Sequence, residues 1–220
     1  MKQGNFKFEN SDCMIGMAQY PDKYFDLAIV DPPYGVKRDK GFGGFGGFGG
    51  FGKPIARKQY KGDWDSNRPN KEYFDELLRV SKNQIIWGGN FFTDLLPQNN
   101  HWIFWDKINT MPTFGDGELA YTSFSLNSIK QVTIEYNGLL GKEPDRIHAT
   151  QKPIKLYKWL LSKYAKEGDK ILDTHVGSAS SIIACIDMGF DVTGYELDKD
   201  YFDMANKRIQ DFLSQQVMDL

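Results

Sequence analysis

The sequence predicts an α/β fold built on a mostly parallel sheet, and three observations carry that prediction. The runs Leu27-Ala28-Ile29-Val30 and Ile171-Leu172 are unbroken apolar stretches without alternation, the pattern of strands covered on both faces. Each run is closed by an aspartate that opens a motif: Asp31-Pro32-Pro33-Tyr34 early in the chain, and the glycine turn Asp173-Thr174-His175-Val176-Gly177-Ser178 late. From 170 to 213 the chain reads strand, glycine turn, helix, strand, helix, an alternation that requires parallel strands crossed by helices.

The elements follow in order. Phe6 to Glu9 reads as a short strand, Cys13 to Gln19 as a short helix and Leu27 to Asp31 as a buried strand. Gly41 to Gly52 is a Gly-Phe-Gly repeat with Phe42, Phe45, Phe48 and Phe51 at period three; glycine this dense holds no regular element cheaply, so a mobile loop is expected. Asn70 to Ser81 carries a helical apolar face, Gln84 to Trp87 is a strand ending in Gly88-Gly89-Asn90, and Phe91 to Leu96 is a short helix stopped by Pro97. Strands are expected at His101 to Trp105, Glu118 to Phe124 and Gln131 to Tyr136. Ile154 to Ala165 is a helix with Pro153 at its start, a favoured place for proline. Lys170 to Asp173 is a strand, Ala179 to Met188 a helix ended by Gly189, Asp191 to Glu196 a strand and Lys199 to Leu213 a helix.

With 220 residues, 40% of them hydrophobic and 15% aromatic, the chain can build one sizeable core, and a single domain over 1–220 is expected. Within it the reading separates a catalytic half, 1–106, with a flexible basic Gly-Phe loop at 36–70; a target-recognition segment, 107–147; and a cofactor half, 148–220. No apolar run approaches the ~20 residues of a membrane span. Met1-Lys2-Gln3-Gly4-Asn5 lacks the apolar core of a signal peptide. Cys13 and Cys185 are the only cysteines and show no metal-ligand spacing. A reduced cytoplasmic setting without membrane or metal is therefore expected. A net charge of −2 argues against indiscriminate coating of nucleic acid, but it does not govern local patches. Between Val36 and Gly62 stand Lys37, Arg38, Lys40, Lys53, Arg57, Lys58 and Lys61 against Asp39 alone. Such a run is either a solvated loop or a phosphate-contacting one, and its place directly after Asp31-Pro32-Pro33-Tyr34 favours contact. Tyr60 and Trp64, close to those cations, are the aromatics best placed in the sequence to stack on bases, whereas Trp87, Trp102, Trp105 and Trp159 fall in strand or helix patterns and read as core.

The two motifs point to different chemistry. In open α/β sheets ligands sit at the carboxyl ends of the strands. Gly177 lets backbone approach a ligand there, and Glu196, closing the next strand, offers a carboxylate for a ribose diol. The glycine pattern is not that of a dinucleotide site, and no Walker lysine follows, since Ser178-Ala179-Ser180 stands in its place. The early motif suits a planar amine. An aromatic amine is a poor nucleophile because its lone pair is delocalised into the ring, so methylating it needs acceptors for both amine hydrogens. Asp31 supplies a carboxylate, a carbonyl in the rigid Pro32-Pro33 segment supplies the second acceptor, and Tyr34 can stack on the ring. This is catalysis by position and electrostatics. A base within a duplex reaches such a pocket only by flipping out.

On these residues the chain resembles the S-adenosylmethionine-dependent amino-methyltransferases of DNA. Asp31-Pro32-Pro33-Tyr34 looks like their catalytic motif, Asp173 to Ser178 like their cofactor glycine motif and Glu196 like their ribose-binding acid. His148-Ala149-Thr150-Gln151-Lys152-Pro153 is similar to the segment that packs beside the methionine moiety, which implicates Thr150 and Lys152, and Asp12 stands where the family carries an adenine-side acid. The order of catalytic motif, recognition segment and cofactor motif is that of the family's β group. The resemblance implies a seven-stranded Rossmann-like class I methyltransferase sheet with circularly permuted motif order. The departures are Thr174-His175 in place of the usual Pro-Phe, and Ala179 in place of the second glycine; His175 is either a cofactor-pocket residue or a structural histidine.

The reading is therefore a DNA adenine-N6 methyltransferase using S-adenosylmethionine on a short site in double-stranded DNA. An aspartate at position 31 favours adenine N6, while cytosine N4 enzymes more often carry serine there. Asp31, Pro32, Pro33 and Tyr34 are the expected catalytic residues. Asp12, Thr150, Lys152, Asp173, His175, Gly177, Ser178 and Glu196 are expected at the cofactor, and Lys37, Arg38, Lys53, Arg57, Lys58, Lys61 and Trp64 at DNA. Alternatives are a cytosine-N4 enzyme, a methyltransferase for RNA or a protein glutamine amide, a silent DNA-binding homologue, and a nucleotide-binding protein using the glycine turn alone. A homodimer and a restriction partner are left open.

Overall fold

Eight strands form one sheet: β1 (Phe6–Asn10), β2 (Phe25–Val30), β3 (Ser81–Trp87), β4 (Trp102–Asp106), β5 (Gly117–Thr122), β6 (Lys130–Thr133), β7 (Lys170–Asp173) and β8 (Asp191–Glu196). The computed structural model describes residues 4–36, 68–108, 115–136, 146–148 and 150–218. The spatial order is β1-β8-β7-β2-β3-β5-β4-β6. Among the described strands β5 alone runs antiparallel, to both β3 and β4. The α/β class and the mostly parallel sheet agree with the sequence. The strand count is eight rather than seven, because β6 pairs parallel with β4 and extends the sheet beyond it.

The unbroken apolar run of β2 has a direct cause. Successive side chains of a strand point to opposite faces. Leu27 and Ile29 pack on one face with Ile85, Trp87 and Ile171, while Ala28 and Val30 pack on the other with Phe74, Ile86 and Leu172. The helices α3 (Ile154–Tyr164), α4 (Ser180–Met188) and α5 (Lys199–Met218) cover the first face, and α1 (Cys13–Met17) and α2 (Lys71–Val80) the second. Helix α2 starts where the Asn70 side chain accepts the Tyr73 N–H at 3.1 Å, and α4 stops at Gly189 with φ +79°.

The short helix expected over Phe91–Leu96 does not form. A 3₁₀ turn at Gly89–Phe91 takes its place, and the N–H groups of Leu95 and Leu96 both donate to the Phe92 carbonyl. A helical start between a Gly-Gly pair and Pro97 has too few residues to offset its nucleation. Of the expected recognition segment 107–147, residues 117–122 and 130–133 are sheet strands and belong to the framework. Residues 109–114 and 137–145 lie outside the described residues. So do the Gly-Phe repeat at 41–52, Tyr60, and the predicted DNA contacts Lys37, Arg38, Lys53, Arg57, Lys58, Lys61 and Trp64. No helix of the described residues is long and apolar enough to cross a membrane.

Candidate active site

Strands β2, β7 and β8 lie side by side and parallel, with Leu27 opposite Ile171 and Asp173 opposite Gly194. Their carboxyl ends therefore open on one edge of the sheet. Asp31 follows β2, the glycine turn follows β7, and Glu196 closes β8. At this edge lies a cavity of about 540 Å³. It brings together the predicted catalytic residues, Asp31, Pro32, Pro33 and Tyr34, and most of the predicted cofactor residues: Asp12, Thr150, Lys152, His175, Gly177, Ser178 and Glu196.

The Asp31 carboxylate is engaged on both oxygens. Oδ1 accepts the Tyr34 hydroxyl at 2.7 Å, and Oδ2 accepts the Lys152 ammonium. The Tyr34 ring stacks on Phe91, with centroids 4.9 Å apart and planes 15° from parallel. Gly88 makes room for that ring: its φ is +65°, and a Cβ there would stand 2.2 Å from Tyr34 Cε1. A carboxylate and an aromatic face are thus held together at the cavity wall.

On the other side, Glu196 Oε2 accepts the Gly177 N–H and Oε1 the Asp198 N–H, each at 2.9 Å. Burial raises the Glu196 carboxyl above its usual range, and these amides work against the rise. A carboxylate has about four acceptor positions, so two hydrogen bonds leave capacity for a diol. Gly177 has φ +55°, and a Cβ there would meet nothing closer than the His148 ring at 3.9 Å, leaving the backbone open to a ligand. Leu197 lines the same cavity and is 71% exposed. An apolar side chain left bare beside a strand-end acid suits the flat face of a nucleobase. Asp12 lines the cavity while its Oδ1 accepts the Met14 N–H at 2.8 Å, capping α1.

Asp173 is placed differently from its expected role. It is buried and does not line the cavity. Its Oδ1 accepts the His175 N–H at 3.0 Å and its Oδ2 the Ser181 hydroxyl, and burial pushes its carboxyl up to about 7. It ties the glycine turn to α4 rather than facing a ligand. Arg208, buried on α5, braces the same turn by donating to the Ser178 carbonyl at 2.7 Å and to Ser180 Oγ at 2.9 Å. Ala179, standing where the resembled family has its second glycine, takes φ +63°.

His175 proves to be both structural and cavity-lining. Its Nδ1 lies 2.9 Å from Thr174 Oγ1, which lies 2.7 Å from the Tyr73 hydroxyl. Tyr73 is buried with Thr174 as its hydrogen-bond partner; if it donates, Thr174 donates in turn to Nδ1, and the imidazole carries its proton on Nε2. Burial pushes His175 and His148 down to about 4, so both rings are neutral near pH 7. His148 packs its ring against Tyr201 with centroids 4.4 Å apart, and its Nδ1 accepts the Thr150 N–H at 3.3 Å.

Lys152 is 3% exposed on its side chain, and its ammonium lies on Asp31 and 3.2 Å from Glu118 Oε2. Glu118, at the start of β5, is the main site residue that the sequence does not signal. Burial works against its charge, yet Lys152 and Lys107 outweigh that and hold the carboxyl well below the usual range. Tyr157, Leu197 and Tyr201 line the cavity as well. Of these, Leu197 alone carries a sequence signal, its place directly after the predicted ribose acid.

The family described as DNA methylase matches residues 97–207, just over half of the 220 residues. The type II methyltransferase M2.MboI of Moraxella bovis is 24% identical over 93% of this chain and 87% of its own length. Among solved structures, the M1.HpyAVI–SAM complex aligns with a TM-score of 0.60 at 18% identity, covering 93% of this chain and 98% of that one. The cytosine-N4-specific PvuII DNA methyltransferase also aligns at 0.60, with 11% identity over 97% and 93%. At these identities the structural likeness is one of fold.

Proposed function

The chain belongs to the DNA methylase family, and from that premise we propose that it transfers a methyl group from S-adenosylmethionine to the exocyclic N6 of an adenine flipped out of double-stranded DNA. The observation that carries the proposal is a single cavity holding an amine-accepting carboxylate, Asp31, and a diol-accepting carboxylate, Glu196. Bound there, S-adenosylmethionine supplies a methyl group made electrophilic by a sulfonium. Glu196 would hold the ribose, Leu197 the adenine ring with Asp12 at its edge, and Gly177, Ser178, His175 and Thr150 the methionine end. Asp31 accepts one N–H of the target amine, a carbonyl of the Pro32-Pro33 segment accepts the other, and the nitrogen lone pair is thereby turned out of conjugation. Tyr34, fixed by Phe91 and Gly88, stacks on the target base. Lys37, Arg38, Lys53, Arg57, Lys58, Lys61 and Trp64 would contact the DNA, the cations at phosphates.

Since a cytosine-N4-specific enzyme shares this fold, methylation of cytosine N4 is the second reading; the acceptor geometry at Asp31 would serve either exocyclic amine. The deciding experiment is methyl transfer from labelled S-adenosylmethionine to unmethylated DNA, with the product nucleoside identified and Asp31→Ala alongside. N6-methyladenine from wild type, absent with the variant, is the expected result. N4-methylcytosine would correct the base. Cofactor binding without transfer to DNA would refute the proposed activity.

A further inference from the structure

The reaction as described has no use for Glu118, yet Glu118 is built into the site. Its Oε1 receives the Lys107 ammonium, and its buried Oε2 pairs with Lys152 Nζ at 3.2 Å. Lys152 in turn reaches Asp31 Oδ2 and the Tyr34 hydroxyl at 3.5 Å, and its Nζ lies 5.4 Å from the centre of the Trp87 ring. Lys107, Glu118, Lys152 and Asp31 thus form one row of alternating charge that ends at the amine acceptor. A buried ammonium is unfavourable unless paired, and Lys152 is paired on two sides.

The geometry restricts what Lys152 can do. Its ammonium is committed to two carboxylates, so it serves the Asp31 side of the cavity rather than the cofactor side that its sequence neighbourhood implies. Asp31 accepts one donor on each oxygen, Tyr34 on Oδ1 and Lys152 on Oδ2. Those two hydrogen bonds leave further acceptor positions while limiting rotation of the carboxylate. Without Glu118, Asp31 would be the sole anion holding the ammonium, and nothing would fix the ammonium from the other side.

We propose that Glu118 is a positioning residue for methyl transfer: acting through the Lys152 ammonium, it holds the Asp31 carboxylate in the orientation that receives the target amine. This rests on the reading of Asp31 given above. The test is single-turnover methyl transfer to unmethylated DNA, with S-adenosylmethionine affinity measured by calorimetry, in wild type, Glu118→Gln, Lys152→Met and the double variant. Misplacing a reacting group by about 1 Å can reduce a rate by about 100-fold. A loss of that order is expected in each single variant, with cofactor affinity within about twofold of wild type. In the Lys152→Met background, Glu118→Gln should reduce the rate by less than about threefold further, because the group it acts through is gone.

Losses that multiply in the double variant, a wild-type rate in Glu118→Gln, or a fall in cofactor affinity matching the fall in rate would overturn the proposal. Should Glu118→Gln fail to fold, Glu118→Asp asks the same question with the charge kept and the reach shortened. A reduced rate with cofactor affinity retained is expected, and a wild-type rate overturns it. No transfer by wild type would refute the reading of Asp31 and this proposal together, whereas wild-type transfer with multiplying losses refutes this proposal alone.

Discussion

Gly88→Ala probes whether Tyr34 is placed by its neighbours or merely lies near them. Gly88 has φ +65°, a region that disfavours an L side chain by ~1–2 kcal/mol. The narrower unfolded ensemble of alanine returns about 0.4–1 kcal/mol. The methyl group would also stand 2.2, 2.5 and 2.7 Å from three carbons of the Tyr34 ring, where separations of about 3.5–4.0 Å are normal. Forcing such a group into packed surroundings typically costs about 1–3 kcal/mol. Destabilisation of roughly 2–4 kcal/mol follows, a fall in Tm of about 4–16 °C for a domain of this size. The ring must move by more than an ångström, which breaks the 2.7 Å hydrogen bond to Asp31 and the 15° stack on Phe91. If Tyr34 stacks on the flipped base, displacing the ring removes about 1–3 kcal/mol of stacking, a reduction in rate of roughly 5- to 150-fold. On the proposed reading Glu196 and Gly177 hold the cofactor, so cofactor affinity should hold. Thermal melts, calorimetry with S-adenosylmethionine and single-turnover transfer together read the outcome. A folded variant that methylates at the wild-type rate would refute the reasoning, as would a loss of rate explained entirely by weaker cofactor binding.

Three further outcomes are expected. Burial holds His175 near 4, while an unfolded chain titrates histidine near 6.5. Between those values the unfolded state binds a proton that the folded state does not, so this contribution to stability grows with pH, is complete above about 6.5 and is lost as pH falls. His175→Phe should flatten the rise of unfolding free energy between pH 4.5 and 6 by roughly 1 kcal/mol per pH unit, and an unaltered slope in denaturant titrations would count against it. Glu196→Gln turns an amide N–H toward the backbone N–H of Gly177 or Asp198 and removes the anionic acceptor, worth about 1.5–3 kcal/mol per hydrogen bond. Cofactor affinity measured by calorimetry should fall roughly 10- to 100-fold, and unchanged affinity would remove Glu196 from the cofactor site. Replacing Lys53, Arg57, Lys58 and Lys61 with glutamine should make DNA affinity less dependent on salt, lowering the slope by about 0.9 for each phosphate that is no longer neutralised; an unchanged slope in binding titrations would show that the segment does not touch DNA.

The frame of the site is legible in the sequence because the frame obeys local rules. A strand covered on both faces must be apolar at every position, so β2 and β7 stand out in the sequence, and the residue that ends such a strand stands at the ligand edge. Asp31 is legible for that reason, and Glu196 because it closes the strand that follows the glycine turn and its helix. Glu118 is not. It sits at the start of β5, where an isolated acid reads as solvated, and its burial depends on Lys107 across the β4–β5 pairing and on Lys152 at the entrance to α3, a partner 34 positions away in sequence. Asp173 shows the reverse limit. Its motif marks the glycine turn correctly, but whether its carboxylate faces a ligand or the turn itself is decided by Ser181, in the first turn of α4, and by the His175 amide. Phe91–Leu96 does not become an α-helix because the left-handed Gly88 opens only a 3₁₀ turn, Gly89–Phe91, and Pro97 leaves too few residues beyond it to offset helix nucleation.

These cases share a cause, and it explains how the Asp31-Pro32-Pro33-Tyr34 motif can precede the glycine turn that it shares a cavity with. Contact between the two depends on adjacency in the sheet, not on order along the chain. β2 and β7 are parallel neighbours, with Ala28 opposite Leu172, so whatever follows each strand emerges within about 5 Å of the other. β2 ends and α2 begins at this edge, and the register of the strands does not fix how many residues lie between them. A glycine- and lysine-rich stretch can therefore be carried at 37–61 without disturbing Asp31 or Glu196, which are held by Tyr34, Lys152, Gly177 and Asp198. The framework thus keeps the positions that must hold to a fraction of an ångström at the ends of buried strands.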